Sequence, residues 1–232
     1  FYGYIAEGYF QSEEEIKKSP RQMRELAPGD IKYKDLNDDG VIDANDQCYL
    51  GKSWFPSWSY GMGFNINYHN FDLALFFQGV SDVSIMANGG SIDTGNGDWG
   101  ASGVGIVPFT GMGLNPSNVI TKALDRWTAD NPRADAWYPR MTANATTNDN
   151  NYVNSTHWLK DGSYLRLKQA SLGYTLENKK LMDKGIEYLY FYLSGQNLLT
   201  FSKFKLWDPE LGSNGAKYPL SRMVTLGMRV SF

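Results

Sequence analysis

Twelve residues from Asp35 to Asp46 place oxygen-bearing side chains at the spacing of a calcium-binding loop. A calcium ion takes about six to eight oxygen ligands, so the loop must wrap around it, and a glycine at the sixth position permits the sharp turn. Gly40 stands at that position and Ile42 supplies the apolar residue at the eighth. The predicted ligands, with the main-chain carbonyl at the seventh position, are Asp35, Asn37, Asp39, Val41, Asp43 and Asp46.

The alternative for this segment is a turn rich in Asp, Asn and Gly that holds no metal. Five aspartates stand within these twelve residues and would repel one another without a cation, which favours calcium. Asp46 replaces the usual Glu at the last position, so the loop resembles that of dockerin modules more than that of sensor EF-hands. No amphipathic helix flanks it, so we expect a calcium ion that stabilises a long surface connection.

Other chemistry finds little support in the residue types. Cys48 is the single cysteine, and only two histidines are present, so neither a disulfide framework nor a cysteine-based metal site is expected. The acidic run Glu13–Glu15 is typical of a solvated helix face, because glycosidase carboxylates must converge in space. The formal net charge of −3 gives no basic stripe for nucleic acid. We therefore predict no catalytic residues, no enzyme activity and no nucleic-acid partner.

Strands are indicated by strict alternation of apolar and polar residues. In the last segment Val224, Leu226, Met228 and Val230 share one face with the terminal Phe232. Whether Phe1–Phe10 contains a further strand is open. The clearest predicted strands are Trp58–Tyr68, Phe71–Val80, Tyr164–Leu176, Glu187–Leu198 and Arg222–Phe232.

The connections between these strands alternate between short and long. His69 and Asn70 form a two-residue turn, and Glu177–Ile186 is modest, with a helical turn closed by Gly185. The long connections are Gln11–Ser57, Ser81–Ser163 and Thr200–Ser221.

Alternating connections are typical of antiparallel transmembrane barrels, which have short periplasmic turns and long extracellular loops. The alternative is a soluble β-sandwich, in which a loop as long as 81–163 would be rare. About five or six strands cannot close a membrane barrel, which needs about eight. We therefore predict an all-β chain that is part of a larger transmembrane β-barrel, with further strands elsewhere.

Several motifs together resemble the SusC/RagA-type TonB-dependent outer-membrane transporters, in the same order along the chain. They comprise segments that lead into the acidic loop, follow the hairpin turn, and open or close the later strands. The segments are Pro28–Tyr33 before the loop, Phe71–Leu73, Phe76–Gly79, Arg126–Thr128 with Asn131–Pro132, Asp161–Lys168, Leu172–Tyr174, Ser194–Thr200 and Asp208–Glu210.

This resemblance implies that residues 1–232 are the C-terminal portion of a barrel of about 22 strands, without its plug and earlier strands. It implies active import of a nutrient across the outer membrane of a Gram-negative bacterium, an oligosaccharide, or a peptide as in some members. It also implies a SusD-like surface lipoprotein as partner, contact with outer-membrane lipid, and the TonB complex acting through an N-terminal region absent here. The long loops would be extracellular and the C-terminus periplasmic. The last strand matches a barrel-assembly signal at Thr225, Gly227, Val230 and Phe232.

Aromatic residues have two expected roles in such a protein. Those in the outer connections are candidates for contact with substrate or partner, namely Trp54, Phe55, Trp99, Trp127, Trp137 and Trp207. Those in strands are candidates for interfacial girdles, namely Trp58, Tyr164, Tyr188, Tyr190, Tyr192 and Phe232. The competing function is a soluble extracellular module that binds carbohydrate or mediates adhesion and is stabilised by calcium. Expression as a soluble monomer without detergent would favour that module.

Overall fold

The computed structural model describes residues 1–51, 53–88, 121–141, 149–213, 218 and 220–232. Within them the chain is built mainly from β-strands. These are β1 (Tyr2–Gly3), β2 (Ala6–Tyr9), β3 (Ile31–Tyr33), β4 (Cys48–Tyr49), β5 (Trp58–Tyr68), β6 (Phe71–Ser81), β7 (Ser84–Met86), β8 (Leu159–Asp161), β9 (Tyr164–Leu176), β10 (Tyr188–Ser202) and β11 (Met223–Ser231). The helices are α1 (Glu13–Lys18), α2 (Asp149–Tyr152) and α3 (Lys179–Met182), with 3-10 turns at Ala44–Asp46, Thr121–Leu124 and Pro209–Leu211.

Five long strands form one antiparallel sheet in the order β11-β10-β9-β6-β5. They contain 9 to 15 residues, and a tilted transmembrane strand needs about 9–11. All five correspond to strands predicted from the alternation. The prediction that β10 ends at Leu198 was wrong, because the strand passes a bulge between Gln196 and Leu199 and continues to Ser202. Asn197 in the bulge has a φ of 52°.

The N-terminal segment does not add a sixth strand to this sheet. Instead, β1 pairs with β4 and β2 pairs with β3 in separate two-stranded sheets. A register shift lies between Ala6 and Gly8, and Gly8 has a φ of 129°. The chain is therefore irregular here, although the composition favours strands.

One face of the five-stranded sheet is apolar across every strand. Neighbouring residues in one row are Ile66, Leu73, Leu172, Leu193 and Leu226. Much of this face is exposed, with 55% of Ile66 and 80% of Leu226 accessible. An exposed apolar surface of this extent is rare on a soluble monomer and marks an interaction surface or a membrane contact.

The opposite face is polar. It carries each charged residue of the five strands that has a register partner on a neighbouring strand. Asp72, Arg166 and Arg229 all lie on it, opposite Gly173, Gln78 and Tyr190 respectively. The Tyr190 hydroxyl donates to Asp72 Oδ2 at 2.9 Å, and the Arg229 guanidinium lies 5.9 Å from the centre of the Tyr190 ring. These charged residues are therefore confined to one face, which also carries some apolar and aromatic residues, among them Phe76, Tyr190 and Tyr192.

The chain divides into two compact units. The sheet unit comprises 56–82, 162–205 and 219–232, and the connection unit comprises 1–55, 83–161 and 206–218. The connection unit has its own core, in which Phe10, Ile31, Tyr138 and Trp158 are fully buried. The three long connections thus gather into one folded unit.

The short connections all leave the sheet at the other end. Tyr68 pairs directly with Phe71 across the His69–Asn70 turn, as predicted. Helix α3 follows β9, capped by the Asn178 side chain, and Gly185 closes the turn with a φ of 83°. No helix in the described ranges is both long enough and apolar enough to cross a membrane.

Candidate binding and metal sites

The acidic loop is closed by hydrogen bonds from its own backbone to its carboxylates. Asp35 Oδ2 accepts from the Gly40 amide and Asp35 Oδ1 from the Asp38 amide, both at 2.8 Å. The two oxygens of Asp46 accept from the amides of Leu36 and Asp43, also at 2.8 Å. These bonds join the first and last ligand positions to the loop between them. Gly40, with a φ of 81°, makes the turn that the sequence predicts.

The donor set fits a cation in part. The Leu36 amide, next to Asp35, donates to Asp46 Oδ1, so the two ends of the loop meet. Burial raises the pKa of Asp46, but hydrogen bonds from the backbone at Asp43, Leu36 and Asn37 lower it by more, so the carboxyl stays charged. Within the described ranges, however, no three carboxylate, imidazole or thiol groups converge closely enough to hold a metal ion. Asp39 accepts from Asn37 and from the Val41 amide.

A buried polar cluster joins distant parts of the connection unit. Arg140 donates from Nε and Nη2 to the two oxygens of Asp30 at 3.0 Å each, and only 2% of the Asp30 side chain is exposed. Asn151 donates to Asp30 Oδ1 and accepts from the Ile31 amide, both at 2.8 Å. A charge buried in this way is stabilised only if its hydrogen bonds are completed, and here they are.

Asn150 forms the second half of this cluster. Its side chain donates to the Ile31 carbonyl at 3.0 Å and accepts from Gln22 Nε2 at 2.9 Å. The Tyr33 hydroxyl donates to the Asn150 carbonyl at 2.6 Å. The paired asparagines therefore fix β3 to the segment at 149–152. This cluster has a structural role and was missed from the sequence, where Asn150 and Asn151 belong to a polar run without a recognised motif.

His157 lies in an aromatic cluster of the same unit. Its ring is 4.7 Å from Trp158 and 5.6 Å from Tyr9, measured between centroids. Lys160 lies 5.3 Å from the centre of the Trp137 ring. Burial and the nearby charge of Lys160, against an opposing hydrogen bond at Trp137, together lower the pKa of His157 to about 4. The imidazole is therefore neutral at physiological pH.

Among the aromatic residues predicted to contact substrate or partner, two are freely accessible. Trp54 is 69% exposed and Phe55 is 66% exposed, and their rings lie 4.7 Å apart at an angle of 56°. Such a pair offers an apolar platform to a ligand, because both ring faces would otherwise meet water.

The other predicted contact residues are occupied by packing or lie elsewhere. The expectation for Trp127 was wrong, since it is only 5% exposed and its indole donates to Gln11 Oε1 at 3.4 Å. Trp137 packs against Trp158 at 5.6 Å, and the Trp207 indole donates to the Gly212 carbonyl at 2.8 Å. Trp99 lies outside the described residues.

Aromatic residues border the apolar face of the sheet at both ends. At the end with the short connections, Tyr68, Phe71, Tyr174 and Phe191 form one row across four strands. Trp58 stands at the other end, ten residues from Tyr68. At about 3.3 Å per residue and a tilt of about 40°, this distance spans about 25 Å, the height of the apolar band on outer-membrane barrels.

The girdle prediction is therefore corrected in part. Tyr190 pairs with Arg229 and therefore lies on the polar face. Tyr188 and Tyr192 alternate with it along β10 and lie on the same face, and so does Tyr164, two residues before Arg166 in β9. Trp58 and the terminal Phe232, which is 84% exposed, continue the apolar rows of their strands. Strand β10 carries aromatic residues on both faces, so the sequence did not indicate which of them share a face with the charged residues.

The four residues of the predicted assembly signal divide between the two faces. Thr225 and Gly227 lie on the polar face, whereas Val230 lies in the apolar row and Phe232 continues it. The Tyr192 ring covers Gly227 so closely that a Cβ atom there would overlap it. The glycine thus has a clear packing role on the last strand.

Comparisons with known proteins identify relatives over the whole chain. It is 30% identical over 241 residues to TonB-dependent receptor P26 of Formosa agariphila, which covers 97% of this chain and 22% of that protein. It is 28% identical over 248 residues to TonB-dependent receptor P3 of the same organism, covering 100% of this chain and 22% of that protein. The chain therefore spans about a fifth of the length of these relatives. A scan of known protein families finds no match.

Solved structures show the same fold. The RagAB peptide importer in its open-open state is 23% identical, with a TM-score of 0.63, and the match covers 100% of this chain and 22% of that one. The closed-closed state gives a TM-score of 0.64. The predicted resemblance to TonB-dependent transporters and the predicted class of antiparallel barrel strands are confirmed. The relatives are named as receptors, in agreement with the prediction that the chain is not an enzyme.

Proposed function

We propose that this chain supplies part of the wall and the outer connections of a TonB-dependent importer in the outer membrane. The observation that supports this most is the division of the sheet into two faces. The apolar face has an aromatic row at one end and Trp58 at the other, and the polar face carries Asp72, Arg166 and Arg229. Lipid on one face and a polar interior on the other would produce this division. The strands that close the barrel, the plug and the TonB-interacting segment lie outside this chain.

The proposed orientation places the connection unit outside the cell and the short turns in the periplasm. The three long connections leave the sheet at one end, and this end is extracellular in outer-membrane barrels. Protease added to intact cells should cleave the connection unit in 83–161 or 206–218, whereas the turn at 177–187 should be cut only after lysis. Cleavage of that turn in intact cells would contradict the orientation.

The proposed cargo is an oligosaccharide, captured together with a SusD-like surface lipoprotein. The exposed pair Trp54 and Phe55 suits a sugar ring, since aromatic platforms stack against the apolar face of a sugar. A peptide is the alternative, and it is what the structurally similar RagAB complex is named for.

Uptake by cells that depend on the full receptor tests this choice. Trp54→Ala with Phe55→Ala should lower growth on the oligosaccharide by about tenfold at limiting concentration, because a stacking contact contributes about 1–3 kcal/mol. Leu124→Ala, which alters a residue that is 77% exposed in the same unit, is the matched control and should have no effect. Dependence on the receptor for peptides alone would refute the sugar and retain the importer.

A soluble carbohydrate-binding or adhesion module remains the competing function. The exposed apolar rows argue against it, since a soluble chain would leave them in water. Fractionation of the native protein tests the choice directly. The importer should remain with outer membranes after washing with carbonate and high salt, and release into the soluble fraction would favour the module.

Calcium in the loop from Asp35 to Asp46 completes the proposal. The predicted ligands are Asp35, Asn37, Asp39, Asp43 and Asp46 with the Val41 carbonyl. The closure of the loop supports it. The Leu36 amide donates to Asp46 Oδ1 at 2.8 Å and so brings the last ligand position next to the first, and a cation there would relieve the repulsion between the two carboxylates. The ion would draw Asp39 and Asp43 inward and so complete the ligand set.

Metal analysis of the purified full receptor tests the loop. We expect one calcium per receptor at this site, lost in Asp35→Asn with Asp39→Asn and retained in Asp130→Asn, which changes an exposed aspartate of the same unit. Equal calcium in the loop variant and the control would refute the site.

A further inference from the structure

The apolar face of β10 ends in two exposed lysines. Leu199 and Phe201 are 51% and 57% exposed at the end of this strand that leads into a long connection. Lys203 and Lys205 follow at the next alternate positions and are also exposed. Arg222, likewise exposed, precedes β11, whose first residue Met223 pairs with Gln196, so Arg222 lies further down the sheet than the two lysines. The two lysines therefore border the apolar face at this end.

The two lysines are held in place by the residue between them. Phe204 is only 6% exposed, and its amide donates to Ser202 Oγ at 3.1 Å. That hydroxyl in turn donates to the Ser163 carbonyl at 2.8 Å, which joins the end of β10 to the start of β9. No ion pair within the described ranges involves Lys203 or Lys205, so both ammonium groups are available to a ligand.

We infer that Lys203 and Lys205 bind the phosphate groups of lipid headgroups at the outer margin of the apolar face. This rests on the proposed function, because it requires lipid against that face. Lysine stems can lie along apolar surface while their ammonium groups reach the polar boundary, where phosphate supplies the opposite charge. Their position directly beyond Phe201 favours a lipid over a soluble anion. The acyl chains of one lipid can cover the apolar row while its headgroup phosphate meets the two ammonium groups.

Native mass spectrometry of the full receptor in nanodiscs tests the site. The nanodiscs contain phosphatidylcholine with a minor share of phosphatidylglycerol, and retention of each lipid is measured after release. Wild type should retain phosphatidylglycerol, and Lys203→Ala with Lys205→Ala should weaken that retention by about thirtyfold, at about 1 kcal/mol for each basic residue near an anionic surface. The charge-preserving pair Lys203→Arg with Lys205→Arg should retain it.

A matched control is the exposed pair Lys17 and Lys18 in α1, changed to alanine, which should leave lipid retention unchanged. Excess inorganic phosphate should not displace the lipid, whereas displacement would identify a site for free phosphate and overturn the lipid assignment. Equal retention by the alanine variant and wild type would also overturn it. A receptor that fails to enter nanodiscs would count against the proposed membrane function, whereas insertion without a preference for phosphatidylglycerol refutes this site alone.

Discussion

Asn151 shows how one side chain can join segments that are far apart in sequence. It bonds the Ile31 amide across 120 positions and supports the carboxylate of Asp30, which also binds Arg140. The side chain of Asn151 is fully buried, so water does not replace a lost partner. This separation explains why the cluster escaped prediction, since no local pattern marks the residues that meet.

Replacing Asn151 by alanine should destabilise the connection unit strongly. The change leaves the buried Ile31 amide unpaired and removes a hydrogen bond to a charged group, a loss of about 3 kcal/mol. Hydrogen exchange of the full receptor should show faster exchange at β3 and at 149–152. Asn131→Ala, at an exposed position of the same unit, should leave the exchange unchanged. Equal exchange in the two variants would refute the structural role.

His157 should make the connection unit sensitive to acid. Its folded pKa of about 4 lies below its ordinary 6.5, so the unfolded state binds the proton first as pH falls. Above pH 6.5 the titration of His157 does not change the free energy of unfolding. As pH falls from 6.5 to 4 the free energy of unfolding decreases, by up to about 3 kcal/mol.

Denaturation of the receptor at several pH values measures this effect. His157→Gln cannot be protonated, so the difference between wild type and variant should change between pH 6.5 and 4 and stay constant above. Carboxylates also titrate at the lower end, but they are common to both proteins and cancel in the difference. A constant difference across the whole range would contradict the prediction.

At the scale of elements, the last strand depends on a tyrosine packed over a glycine. Gly227 lies opposite Tyr192 in the register, and the tyrosine ring occupies the space of any Cβ there. Gly227→Ala should therefore displace the ring or shift the pairing, at about 1–3 kcal/mol. The fraction of receptor that shows the mobility of a folded barrel on unheated gels should fall.

Two further variants separate this packing effect from general strand weakening. Tyr192→Ala combined with Gly227→Ala should recover part of the folded fraction, because the added methyl group then has room. Gly63→Ala on β5 should be tolerated, since a Cβ there meets its nearest atoms at 3.8 Å. No recovery in the double variant would show that the glycine matters for another reason.

The strands were predictable because alternation is a local property of the sequence. Trp58–Tyr68 was predicted with the bounds found, and the turn at His69 followed from the two residues between strands. The end of β10 was missed because the bulge at Asn197 interrupts the period and the strand then resumes. The assignment of Tyr190 to a lipid-facing girdle failed because the faces are decided by register with other strands.

The acidic loop was predictable in part for the same reason. The turn at Gly40 and the closure of the loop by Asp46 on the Leu36 amide are local and appear as the spacing indicates. No three metal-binding groups converge within the described residues, and spacing alone does not specify such convergence. The burial of Trp127 likewise depends on distant residues, because its indole contacts Gln11 and its ring covers Gly29.

At the scale of the whole molecule, the two faces of the sheet should respond differently to the same charge. Leu172 lies near the middle of β9 in the apolar face, between Leu73 and Leu193, and Ser171 beside it points to the polar face. Leu172→Arg should lower the stability of the inserted receptor by about 2–4 kcal/mol, whereas Ser171→Arg should cost much less. Reversible unfolding in lipid vesicles measures both. An equal loss for the two variants would mean that neither face meets lipid, and a larger loss for Ser171→Arg would reverse the assignment of the faces on which the proposed function depends.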